Sequence, residues 1–149
     1  MSEQNRDLIT VDVSHRFSAS PEAVFDAWLD PERIEQWMAA ALAEFSPGTE
    51  FRRATVDAHV GGTFTFIDSR DEDQTSPTGT YLEIDRPRHL SFTWLPEDGE
   101  YSVVTIDIEP DGRGCLLTLR HEMESTWVDF AERTAEAWAR MARQIDAVL

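Results

Sequence analysis

Apolar residues recur along this chain in two rhythms, one of three to four residues and one of two. The longer rhythm holds from Thr126 to Leu149, where Phe130, Thr134, Trp138, Met141, Ile145 and Val148 share one face of a single predicted helix. Thr126 is its expected N-cap, with Asp129 completing a shortened capping box. Arg140 and Arg143 lie toward the end that favours positive charge, and Glu136 with Arg140 makes a well-oriented i,i+4 pair. Upstream, Ile9, Val11, Val13, His15 and Phe17 alternate with Thr10, Asp12, Ser14 and Arg16, the signature of a half-buried strand. Ser20-Pro21-Glu22 then caps and opens a helix that buries Val24, Phe25 and Trp28. Asp30-Pro31-Glu32 repeats that punctuation and opens a second short helix through Ile34 and Trp37. Ala39 to Phe51 carries no clear pattern.

Alternation resumes in Arg53 to Val60, with Val56, Ala58 and Val60 apolar and Gly61-Gly62 as a hairpin turn. Phe64 and Phe66 share a face in the return strand, which runs to about Ser69, and Gln74 to Gly79 forms a polar tip. Thr80, Leu82 and Ile84 continue the inward row, Arg86-Pro87-Arg88 turns the chain, and Leu90, Phe92 and Trp94 follow. Val104, Ile106 and Ile108 lead to the turn Pro110-Asp111-Gly112, and Cys115, Leu117, Leu119 and His121 form the last strand. The order is β-α-α, six antiparallel strands, then a long helix. Such a meander must twist and curl, and its inner face needs cover. The expected class is therefore α+β, a curved antiparallel sheet wrapped around the C-terminal helix.

Composition narrows the roles. The chain, residues 1–149, is read as a single domain, and 41% hydrophobic residues with five Trp and eight Phe argue for a packed core. A formal net charge of −16 repels phosphate backbones and anionic lipid, so nucleic-acid and membrane-surface roles are disfavoured. No apolar run reaches membrane-spanning length, and Met1 to Asp7 is not a secretory signal. Cys115 is the only cysteine, which points to a cytoplasmic protein and to a small core residue rather than a reactive thiol. The clusters Asp71-Glu72-Asp73 and Glu97-Asp98-Glu100 lack calcium-loop spacing and read as solvated tips. His15, His59, His89 and His121 are dispersed, so no metal is expected. Phosphate and dinucleotide fingerprints are missing, so no cofactor is expected either.

The segment Phe17-Ser18-Ala19-Ser20-Pro21-Glu22-Ala23-Val24-Phe25-Asp26-Ala27-Trp28, with Asp30-Pro31-Glu32-Arg33 and Trp37, resembles the opening of the START-like, helix-grip proteins. More narrowly, it is similar to the bacterial branch related to the activator of the heat-shock protein 90 ATPase. Asp57, Gly61-Gly62, Phe64, Gly79-Thr80-Tyr81-Leu82-Glu83-Ile84, Leu90-Ser91-Phe92-Thr93-Trp94, Val104-Thr105, Leu117-Thr118-Leu119, His121-Glu122 and Trp138 follow in the matching order. Three departures fall near the expected cavity mouth. Trp37 leads into Met38-Ala39-Ala40 rather than a second Trp and Gly-Pro, His59 stands where an arginine is usual, and Ala137 replaces the glycine before Trp138. The resemblance implies a helix-grip fold and a hydrophobic cavity; it does not carry a ligand across.

A lining of Phe64, Phe66, Phe92 and Trp94 opposite Trp138 and Met141, with Trp37 and Met38 at the mouth, suits a small hydrophobic or amphipathic molecule such as a lipid or polyketide. The same residues also read as an ordinary core. Trp28 reads as core and Trp37 as a lid. His15 and His121 fall on apolar strand faces, where each is either a satisfied core residue or a pocket hydrogen-bonder. A binding protein is favoured over an enzyme of the cyclase, aromatase or hydrolase type, for which His121, His15 or Asp57 would be the acid–base groups. The third reading, a co-chaperone stimulating a heat-shock protein 90 ATPase, rests on the resemblance alone, and the chain leaves no room for the large additional domain of the eukaryotic activators.

Overall fold

The strands pair antiparallel in a seven-stranded sheet whose order is that of the chain with one exception, the first strand. A computed structural model describes residues 7–45, 47–69, 78–94 and 101–149. In chain order these form β1 (Leu8–Phe17), α1 (Pro21–Ala27), α2 (Pro31–Phe45), β2 (Phe51–Val56), β3 (Thr63–Asp68) and β4 (Thr78–Asp85). There follow β5 (His89–Thr93), β6 (Ser102–Asp111), β7 (Gly114–Glu124), a 3₁₀ segment (Ser125–Phe130) and α3 (Ala131–Val148). The sheet order β1-β7-β6-β5-β4-β3-β2 brings the first and last strands together. β1 lies against β7 over its whole length, from Leu8 opposite Glu124 to Phe17 opposite Cys115. The inner face is covered by α2 and α3, giving the α+β helix-grip arrangement.

Local signals explain most of the elements. Ser20 caps α1 by accepting from the Ala23 amide, and Pro21 occupies the first turn. Asp30 Oδ1 accepts from the Glu32 amide at the start of α2. That helix runs to Phe45, well past Trp37, so Ala39 to Phe45 is helical rather than unpatterned. The reason is visible in its burial: Ile34, Trp37, Met38, Ala41 and Leu42 are buried at helical spacing, with alanines serving as small core residues. Trp37 therefore sits in mid-helix, 1% exposed, with Nε1 donating to Ala27 O at 2.8 Å. It is core, not a lid.

Three other expectations change. β2 stops at Val56, and Val60 is 61% exposed. The loop after β2 folds on itself through His59 N to Asp57 O and Gly62 N to His59 O, with Gly61 at φ +89. In β4 a register shift between Tyr81 and Glu83 reverses the phase, so Tyr81 faces the core and Leu82 is exposed. At the C-terminal end Thr126 is not the N-cap. Ser125–Phe130 is 3₁₀, α3 begins at Ala131, and Phe130 is exposed against Trp127, their rings 5.5 Å apart. In a 3₁₀ turn residues three apart eclipse each other, which suits that pair. The buried stripe of α3 is Trp138, Met141, Ala142 and Ile145, while Thr134 and Val148 are half-buried. Both acidic clusters lie outside the described residues.

Cross-links fix the helices to the sheet. His15 Nε2 meets Asp146 Oδ2 at 3.0 Å, tying β1 to α3. Arg33 Nη1 donates to Val148 O at 2.8 Å, tying α2 to α3. Arg86 grips Asp26 through two bonds of 2.9 Å, and that guanidinium holds the Asp26 carboxyl below its usual range. Gly79, opposite Phe64 in the β3–β4 pair, lets the phenyl ring lie across it. A Cβ there would stand 1.9 Å from Thr93 O and 2.6 Å from the Phe64 ring. Gly79→Ala is expected to lose about 3 kcal/mol of stability in urea denaturation, the scale of an overpacked core. Gly48→Ala, where φ is +96 but nothing lies within 4 Å, should lose only about 1 kcal/mol. Equal losses would mean that contact at Gly79 is not the cause.

Candidate functional site

The inward rows of β3, β4 and β5 converge on one aromatic cluster. Phe64 is its hub, with ring centroids 5.1 Å from Phe66, 5.3 Å from Tyr81, 5.4 Å from Phe92 and 6.1 Å from Trp94. The helices bring Trp28 at the end of α1, Trp37 from α2 and Trp138 from α3. A closed circuit results: Phe66 to Trp94 at 6.0 Å, Trp94 to Trp138 at 4.8 Å, Trp138 to Trp28 at 6.2 Å, Trp28 to Trp37 at 5.4 Å, and Trp37 back to Phe66 at 6.3 Å. These spacings are those of edge-to-face and tilted ring contacts. Trp94 is half-buried, the others of the circuit buried. Met38 and Met141 are buried in the same core. The structure thus gathers Trp37, Phe64, Phe66, Phe92, Trp94 and Trp138 into one cluster, with Met38 and Met141 in the surrounding core.

His121 supplies the polar element. Trp138 Nε1 donates to His121 Nδ1 at 3.1 Å, so Nδ1 is bare and the ring proton sits on Nε2. Nε2 lies 2.9 Å from Ser102 Oγ, which can accept that proton because its own hydroxyl donates to Trp94 O at 2.6 Å. The relay Trp138–His121–Ser102–Trp94 therefore joins helix to sheet with every proton placed. Burial lowers the His121 pKa to about 4, keeping the ring neutral. His121 is a buried residue beside the cluster, both of its ring nitrogens engaged within the chain.

The remaining acid–base candidates are elsewhere. His15 is four residue pairs along the β1–β7 ladder from the His121 position, roughly 13 Å at strand rise. It is engaged with Asp146 and edges Phe17 at 4.6 Å. Asp57 lies in the loop after β2, paired with His59 at 2.8 Å. Its charge adds to the burial that raises the Tyr81 hydroxyl pKa. Cys115 is buried, and burial raises its thiol pKa. Among the described residues no group of three or more His, Cys, Asp or Glu side chains could hold a metal ion. Nor is any described helix long and apolar enough to cross a membrane.

Sequence reasoning missed four contributors. Trp28 was read as core without a place in the circuit, and Tyr81 was hidden by the β4 register shift. Ser102 extends the inward row Val104, Ile106, Ile108 by one step, a signal that was present in the alternation. Asp68 continues the row of Phe64 and Phe66 and is 1% exposed, a carboxyl on the inner face.

A model of the family described as activator of Hsp90 ATPase homolog 1-like protein matches residues 18–149. The chain belongs to this family. No curated protein matches it significantly in sequence. Among solved structures, it is similar to protein CV1439 from Chromobacterium violaceum, with 24% identity, TM-score 0.75, and 93% and 95% of the two chains covered. An AHSA1-like protein from Aeromonas hydrophila gives 23% identity, TM-score 0.70, and 94% coverage of each chain. CalU16 from Micromonospora echinospora gives 24% identity and TM-score 0.62, over 91% of this chain and 75% of that one. These likenesses establish the START-like fold.

In this family member the relay makes a pH prediction. An unfolded His121 takes up a proton near pH 6.5, whereas the folded protein keeps it neutral to about pH 4. The unfolded state therefore binds more protons in that window, and stability falls as pH drops through it. From pH 7 to 4 the loss from this residue is on the order of 3 kcal/mol. His121→Phe should remove that acid sensitivity. It should also cost about 2 kcal/mol at pH 7 by orphaning Trp138 Nε1. Urea denaturation at the two pH values checks both, and an unchanged acid slope in the variant would count against the relay.

Proposed function

We propose that this protein binds a small hydrophobic or amphipathic molecule, of lipid or polyketide type, against the aromatic circuit between the inner face of the sheet and helices α2 and α3. The observation that carries the reading is the circuit itself. Six of the residues singled out in the sequence fall within one ring cluster, around a few satisfied polar groups. Flat polarizable walls with sparse, fixed hydrogen-bonding atoms are the make-up of small-molecule sites. Trp94, half-buried and held at both backbone atoms by Ser102, is the residue we place at the entrance.

Binding is favoured over catalysis because both nitrogens of His121, the histidine beside the rings, are already engaged. Stimulation of a heat-shock protein 90 ATPase has the family's name in its support and no specific surface. A single cysteine suits a reducing, cytoplasmic setting.

Native mass spectrometry of protein purified from its own host should reveal a co-purifying apolar molecule. In titrations with a panel of lipids, flavonoids and polyketides, at least one class should bind. Trp94→Leu should then weaken that binding about tenfold, roughly 1.4 kcal/mol, while the far-ultraviolet circular dichroism stays native. Silence across the panel, with an empty native mass, would defeat the proposal.

A further inference from the structure

The circuit contains four indoles, of which Trp28, Trp37 and Trp138 are buried, and two of those three buried N–H groups are spoken for. Trp37 Nε1 donates to Ala27 O at 2.8 Å and Trp138 Nε1 donates to His121 Nδ1 at 3.1 Å. Trp28 Nε1 has no partner, although the residue is only 5% exposed. It is the one buried side-chain polar atom without a partner among the described residues. Nearly all buried polar groups in folded proteins are paired, so an orphan of this kind asks for an explanation. Packing does not supply one. The Trp28 ring stands 5.4 Å from Trp37 and 6.2 Å from Trp138, and neither ring offers its N–H a conventional acceptor.

Resting on the binding function proposed above, we infer that the guest carries an oxygen acceptor on an apolar, preferably aromatic, frame, and that Trp28 Nε1–H donates to it. An indole N–H is a donor only, so its partner must accept. The acceptor is uncharged, as in a ketone, ester or ether. A guest carboxylate would have to leave water for a buried site walled by aromatic rings, a costly transfer. The aromatic walls select flat frames by stacking, and the single orphan donor selects one oxygen at one position.

Matched tricyclic probes test this, since 9-fluorenone and fluorene differ by a carbonyl against a methylene. By calorimetry the wild type should bind fluorenone about tenfold more tightly than fluorene. Trp28→Phe keeps a ring but loses the N–H, so the ratio of its affinities for the two probes should fall to about one. Nuclear magnetic resonance on the wild type gives a second readout that needs no variant to fold. The Trp28 Nε1–H signal should move downfield with fluorenone relative to fluorene, and the Trp37 and Trp138 signals should not. Equal binding of the two probes by wild type, a preference that survives in Trp28→Phe, or a Trp28 signal blind to the carbonyl would each overturn the inference while leaving the binding function intact. Failure of the wild type to bind either probe would overturn the inference and weigh against the binding function as well.

Discussion

Much of this structure turns on one bare nitrogen, Nδ1 of His121, which must stay unprotonated for Trp138 to be held. The bond between them is the buried polar tie from α3 to the sheet beside the ring cluster, and it sets the rotation of the helix about its own axis. Apolar packing alone specifies rotation weakly, because it is non-directional. With the indole pinned, Trp138 presents one side to Trp94 and the other to Trp28, and the circuit closes. The tie is stable because the surroundings exclude water. The burial that keeps the imidazole neutral is the burial that makes an unmet donor costly. Acid, by adding a proton at Nδ1, turns an acceptor into a second donor facing an N–H.

A second constraint is topological. β1 leaves the sequential order to pair with β7, so the strand carrying His15 lies beside the one carrying His121, and α3 is fixed to β1 by the His15–Asp146 contact. The helix is thereby held near its C-terminal end by β1 and in its middle by β7. Its first residues rest on no side-chain cap, since Phe130 at that position has none to offer. The 3₁₀ segment before it leaves Trp127 and Phe130 in tilted ring contact at the surface, with the Arg133 guanidinium 5.5 Å from the Phe130 ring.

The element order and most inward rows were legible because period-two alternation survives wherever a strand is regular. Phe64 and Phe66, Leu90 and Phe92, and Val104, Ile106 and Ile108 all face the core as their spacing implies. Legibility failed where geometry breaks the count. The register shift in β4 moves Tyr81 inward and Leu82 outward, and no local residue type announces it. The end of α2 was missed because alanines at core positions look unpatterned until a neighbouring strand is known to approach closely. The helix packs on β2, with the Ala54 amide within reach of Glu35. The partners of His121 were out of reach for another reason. Ser102 and Trp138 meet it only through the β6–β7 register and the placement of α3.

The three buried tryptophans of the circuit show why side-chain chemistry, more than fold, bears on the proposed function. All three contribute similar apolar area, and a packing argument would treat them as equivalent. Their N–H groups separate them. Trp37 spends its donor on the backbone at the end of α1 and so fastens two helices to each other. Trp138 spends its donor on the sheet. Trp28 spends its donor on nothing, at a position where replacement of the indole by a phenyl would fill much of the same space without the orphan. A residue that carries an unmet polar atom into the core lowers stability relative to that simpler alternative. The guest proposed above would give that indole the acceptor that the chain itself withholds.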